Sequence, residues 1–163
     1  KNSWTTRVPV VVFGAAWGTK GGTSIEYVRH VRKGIFPAAP KWGVLISDVR
    51  DVAKSHVACI ANDKVGGRRL IVGKEVKTLI ELSQIMAEAM PEYAKKLPKK
   101  QLPNFMVKLF SYIDSSAKTM IPDLEITMQT DTKYSEDILG LKFQPAKDCM
   151  AETAKSVVRL GLV

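Results

Sequence analysis

The sequence has 163 residues, about one domain of chain, with 45% hydrophobic residues, 25% charged residues and a net charge of +9. That balance excludes a disordered or low-complexity chain, and no apolar run approaches the roughly 18 residues that a membrane span needs. The positive excess admits nucleic acid, anionic membrane or acidic proteins as partners, but the basic residues are scattered; the densest group, Lys95, Lys96, Lys99 and Lys100, has no interleaved aromatics to stack on bases, so it reads as a solvated loop and disfavours nucleic acid.

The chain opens on Lys1, Asn2 and Ser3 with no initiator Met and no signal-peptide pattern, so a processed or partial polypeptide is expected. Val8, Pro9, Val10, Val11, Val12 and Phe13 form a short β-rich run that predicts one buried strand over 8–13. A loop with Gly18, Gly21 and Gly22 follows, and Ser24 is placed to cap a helix that Gly34 ends. Val44, Leu45 and Ile46 predict a second strand. After it, Asp48 or Ser47 caps a helix with Val49, Val52, Ala53, His56, Val57 and Ile60 on one face, which predicts that His56 is buried.

Residues 68–72 read as the next strand. Thr78 and Glu81 have the spacing of a capping box ahead of Leu79, Leu82, Met86 and Met90. Leu102, Phe105, Met106, Leu109, Phe110 and Ile113 make another helical stripe, opened by Pro103, and residues 124–128 read as a further strand. Asp131 caps a short helix ending at Gly140. Ala146, Met150, Thr153, Ala154, Val157 and Val158 line a last helix that stops at Gly161. The pattern is α/β, helix-rich, with three or four short strands. Cys59 and Cys149 stand alone in predicted helices and match no metal spacing, so both read as buried thiols; this suits a reducing compartment and leaves the compartment itself open.

No self-contained catalytic motif is present. The glycines after residue 14 fit neither a dinucleotide loop nor a phosphate loop, and there is no Gly-x-Ser-x-Gly elbow. Two histidines, His30 and His56, are too few for a metal site, so none is expected. Asp48 and Asp51 fit the positive end of a helix better than a catalytic carboxylate pair.

The stretch Trp42-Gly-Val-Leu-Ile-Ser-Asp-Val-Arg-Asp-Val-Ala-Lys-Ser-His-Val57 resembles a hallmark of extended short-chain dehydrogenase/reductases, nearest the dihydroflavonol reductase and cinnamoyl-CoA reductase group. Pro9 to Gly14 is similar to that family's Pro-x-x-x-x-Gly-Pro strand and turn, with Ala15 in place of the second Pro. Gly67-Arg-Arg-Leu-Ile-Val72 resembles its Gly-Arg-Tyr strand. Asp131-Thr-Lys133 with Leu139-Gly140 resembles its Asn-Ser-Lys…Leu-Gly helix, and the last ten residues look like its C-terminal helix.

The resemblance implies a fold: the C-terminal, substrate-side portion of a Rossmann-type extended short-chain reductase. Residues 1–163 would be the substrate-binding half, and the N-terminal nucleotide-binding half would be absent from this chain. That half carries the family's Gly-rich loop, catalytic Ser and Tyr-x-x-x-Lys pair. Here Tyr27, Tyr93, Tyr112 and Tyr134 are followed four positions on by Val31, Leu97, Ser116 and Ile138, so no catalytic residue is assigned. The implied function is reduction of an aldehyde or ketone with NADPH or NADH, bound only with the missing half. The alternative is an inactive, reductase-like accessory or scaffold subunit.

The resemblance also implies site residues. Pro9, Val10 and Val11 would line the nicotinamide as a dry apolar wall, and Ser24 would hydrogen-bond the cofactor. Phe13, Ala15, Trp17, Tyr27 and Leu45 would face a small carbonyl substrate. The strand over 8–13 would lean on the missing half or on another protein chain. Burying four such apolar side chains stabilises by roughly 6–12 kcal/mol, and an uncovered apolar strand is an aggregation template.

Overall fold

The apolar run at residues 8–13 forms two strands, not one. In the computed structural model, which describes residues 4–18, 22–34, 38–112, 118, 121–124 and 129–162, β1 (Thr6–Pro9) pairs in parallel with β5 (Arg69–Val72). β2 (Val11–Phe13) pairs in parallel with β4 (Gly43–Asp48). Pro9 has no N–H to carry the ladder forward. Val10 then donates its N–H to Ser47 Oγ at 3.3 Å, and that hydroxyl donates to the Val72 carbonyl at 2.6 Å. The buried Ser47 thereby joins the two ladders where the strand breaks.

β6 (Glu75–Thr78) lies antiparallel to β4, giving the order β2-β4-β6. A third ladder pairs β3 (Ala38–Pro40) with β7 (Lys100–Leu102). These last three strands are three or four residues long, too short for an alternating pattern to announce them. The strand expected over 124–128 is not seen at its start: Leu124 sits in a turn after the 3-10 turn Ile121–Asp123, and 125–128 lie outside the described residues.

α1 (Thr23–Arg32) begins after Gly22 with no side-chain cap, so Ser24 lies inside the first turn rather than at the cap. α2 (Val49–Ile60) is capped by Asp48, whose carboxylate accepts the Arg50 N–H at 2.7 Å. α3 (Leu79–Ala89) has both halves of the Thr78–Glu81 capping box. α4 (Asn104–Phe110) follows Pro103. α5 (Lys133–Leu139) ends at Gly140 in the left-handed region, φ 62°, and α6 (Ala146–Arg159) closes the chain. Among the described residues no helix is long and apolar enough to cross a membrane.

The main core lies where β2, β4 and helices α1, α3 and α6 meet. It includes Phe13, Val28, Ile46, Leu82, Met86, Met150 and Val157. A second core joins Val65, Leu70 and Val72 to Leu139 and Phe143. Cys149 is buried and Cys59 only half-buried; burial, with Asp48 close by, pushes the Cys149 thiol up to about 12.

The apolar stripe of α2 faces the other way from expectation. Val49, Ala53, His56, Val57 and Ile60 are exposed, with Val57 at 68% and Ile60 at 86%, whereas Asp51 and Ser55 are buried. His56 is therefore a surface residue, its Nδ1 against the Val52 carbonyl at 2.7 Å. The reason is tertiary: Asp51 accepts the distant Gln144 N–H, and Val52, Ala58 and Cys59 pack against the second core, while Ser55 donates to the Val52 carbonyl of its own helix.

Candidate functional site

The loop after β2 is held from the opposite end of the chain. Gly14 N–H donates to Thr153 Oγ1, and Ala16 N–H to Ser156 Oγ, both at 2.8 Å. These two hydroxyls are buried on α6 and donate in turn to carbonyls of their own helix, those of Cys149 and Thr153. Backbone N–H groups shut away from water need acceptors, and a loop cannot supply them to itself.

The other wall is the start of α2. Gly14 has φ 153°, and a Cβ there would overlap Cγ1 of Val49, so the glycine is what lets the loop lie against α2. Asp48, with a fully buried side chain, takes a two-pronged ion pair from Arg50, with Nε to Oδ1 at 2.9 Å and Nη2 to Oδ2 at 2.6 Å. Burial pushes the Asp48 carboxyl up, but the Arg50 hydrogen bonds outweigh it and hold the pKa below the usual range. Between loop and helix lies a shallow, mainly apolar depression lined by Ala15, Trp17, Val49, Arg50, Ala53 and Glu152.

Of the residues implied for the substrate side, this depression takes in Ala15 and Trp17. Phe13 and Tyr27 sit together in the main core, rings edge to face with centroids 6.4 Å apart. The Tyr27 hydroxyl donates to the Leu79 carbonyl at 3.4 Å, and burial, partly offset by Ser83, pushes its phenol up to about 12. Leu45 is buried in β4 beneath Gly73, where a Cβ would stand 2.8 Å from its Cγ. Of the residues implied for the cofactor, Pro9 and Val11 are half-buried at the junction of β1 and β2, and Val10 between them is 49% exposed. Ser24 is half-buried in α1.

None of these four carries a charge. Pro9, Val10 and Val11 are also apolar, a lining that suits a flat ring such as nicotinamide and not phosphates, whereas Ser24 stands in the uncapped first turn of α1, the helix end that favours an anion. Among the described residues no cluster of His, Cys, Asp or Glu could hold a metal ion. Ser47, Thr153 and Ser156 organise this region, yet the sequence reading gave them no site role. The available signal was Thr153, a hydroxyl on the apolar stripe of α6.

No family model matches the chain. Over 97 residues it is 29% identical to a Candida albicans protein named as an NADPH-dependent methylglyoxal reductase, GRP2, covering 56% of this chain and 28% of that one. Among solved structures it is similar to Gre2 of Candida albicans in complex with NADPH, at 22% identity and a TM-score of 0.68, covering 97% of this chain and 44% of that one. It is also similar to yeast methylglyoxal/isovaleraldehyde reductase Gre2 complexed with NADPH, at 24% identity and 0.66, covering 98% and 47%. Alfalfa vestitone reductase is a further likeness, at 18% and 0.63, covering 98% and 45%. The chain thus has the α/β fold of Rossmann-type extended short-chain reductases and spans somewhat less than half the length of these solved chains.

Proposed function

We propose that this chain is the substrate-side half of an NADPH-dependent carbonyl reductase that acts on small aldehydes or ketones together with a nucleotide-binding half outside these 163 residues. The carrying observation is the exposure of Val49, Val57 and Ile60 on α2, with Val10 left 49% exposed at the break between β1 and β2. Exposed apolar side chains on a strand junction and on a helix call for a covering layer. The solved chains with this fold are about twice as long.

In this reading Pro9, Val10 and Val11 form the wall against the nicotinamide and keep water from it, and Ser24 hydrogen-bonds the cofactor. The bound cofactor would supply a hydride to the carbonyl carbon, while the second half supplies the proton for the oxygen. Ala15 and Trp17 face the substrate, and Phe13 and Tyr27 pack in the core behind them, while Leu45 is buried on the other face of β4 against Gly73.

The test is the native polypeptide purified from its source. Its intact mass should be near twice the 18.0 kDa of this chain, and it should oxidise NADPH with methylglyoxal or isovaleraldehyde. Residues 1–163 alone should bind NADPH poorly; micromolar binding by them would overturn the two-half reading. A second reading, an inactive accessory subunit, draws on the +9 charge. A native mass near 18.0 kDa, with no turnover and a stable partner protein, would put it first.

A further inference from the structure

We propose that α4 and the lysines before it form a docking surface for an anionic lipid membrane. α4 buries Val107 and leaves Phe105 and Leu109 exposed, at 70% and 64%, and Tyr112, in the turn after the helix, is 89% exposed. Phe105 and Leu109, at i and i+4, share one face of the helix. Lys108 is exposed on the same short element, and Lys99 and Lys100 are exposed just before it. Lys95 and Lys96, also exposed, precede them in the chain. Across residues 91–112 the charged side chains are five lysines and one acid, Glu92. None of the five lysines makes an ion pair among the described residues.

The shape selects the partner. A protein helix or peptide is held in a groove or added to a strand edge. Here Phe105 and Leu109 stand exposed on a two-turn helix, with Tyr112 exposed just after it. Exposed Phe and Leu side chains can enter the boundary between headgroups and acyl chains, with Tyr at headgroup level. Lysine stems bend so that each ammonium reaches a lipid phosphate or carboxylate. From sequence alone the lysines read as a solvated loop; the exposed Phe105, Leu109 and Tyr112 that follow them in the chain add an apolar component. This docking is independent of whether a second half covers α2.

The 163-residue chain is to be sedimented with vesicles of phosphatidylcholine alone and with roughly 30% phosphatidylserine added. The serine-containing vesicles should bind it at least about tenfold more tightly, with affinity falling as salt rises. Phe105→Ser with Leu109→Ser should weaken binding about tenfold or more. So should Lys95→Gln, Lys96→Gln, Lys99→Gln and Lys100→Gln together, a set confined to exposed side chains and checked for folding by circular dichroism. No binding to the anionic vesicles, or binding that neither set changes, overturns the proposal. Tighter binding to polyglutamate or duplex DNA than to vesicles also overturns it, as does a self-associated dimer that the Phe105 and Leu109 changes dissolve.

Discussion

The carboxylate of Asp51 accepts the backbone N–H of Gln144 at 2.6 Å, tying the first turn of α2 to the segment that leads into α6. Asp51 is 2% exposed, and burial raises its pKa despite that hydrogen bond, with the nearby Asp48 charge adding to the rise. A raised folded-state pKa means that the folded chain holds the proton more tightly than the unfolded one. The contribution is therefore largest below the ordinary carboxylate range and is lost as pH rises through the raised value. Asp51→Asn keeps an acceptor and removes the charge. Urea unfolding should show it at least as stable as the parent at about pH 7, with a flatter profile down to about pH 4. Asp51→Ala orphans the Gln144 N–H and should cost about 1–3 kcal/mol. Equal losses for the two variants would refute the account.

Asp48 should behave with the opposite sign. Its lowered pKa means that its pair with Arg50 stabilises above the ordinary carboxylate range and fails as pH falls through the depressed value. Asp48→Asn should lose the two-pronged pair and lower stability by about 1–3 kcal/mol at neutral pH, with a smaller difference in acid. The check is the midpoint of urea unfolding at several pH values.

Thr153 is expected to matter through Gly14 rather than through its own helix. Thr153→Val preserves shape and deletes the acceptor of the Gly14 N–H, for a cost of about 1–3 kcal/mol. Thr153→Ser should recover most of it. Amide exchange at Gly14 should accelerate in the Val variant and return in the Ser variant; unchanged exchange would disprove the link.

Gly14→Ala carries two separable penalties, a backbone at φ 153° and an overlap with Val49. Together they should destabilise by about 2 kcal/mol or more. Adding Val49→Ala should relieve the overlap and leave the backbone strain, so the double variant should lose less than the two singles summed. Simple additivity in a thermal unfolding series would count against the close packing.

The exposed face of α2 makes a prediction for the chain by itself. Val57→Ser with Ile60→Ser should change stability by no more than about 0.5 kcal/mol per site, as for surface positions. In a longer native polypeptide the same pair should weaken NADPH binding if a nucleotide-binding half sits there. A loss above about 1.5 kcal/mol in the 163-residue chain would mean that the chain covers this face itself.

Local chemistry was legible in the sequence because its causes are near neighbours along the chain. A cap of α2 at Ser47 or Asp48, the Thr78–Glu81 box and the stop at Gly140 follow from groups within four residues of one another, and all are present, with Asp48 taking the cap. The order of motifs from Pro9 to Val72 likewise pointed to the reductase-type α/β fold. Periodicity foretold that α2 has an apolar stripe but could not say what the stripe meets. Only the tertiary structure turned Asp51 and Ser55 inward and left His56, Val57 and Ile60 in solvent. It also broke the run at 8–13 into two strands through Ser47, and it brought Thr153 and Ser156 to the loop at Gly14. Apart from Ser55, which bonds Val52 in its own helix, those outcomes involve hydrogen-bond partners 25 to 140 positions apart, and no local pattern encodes which distant acceptor a buried N–H will find.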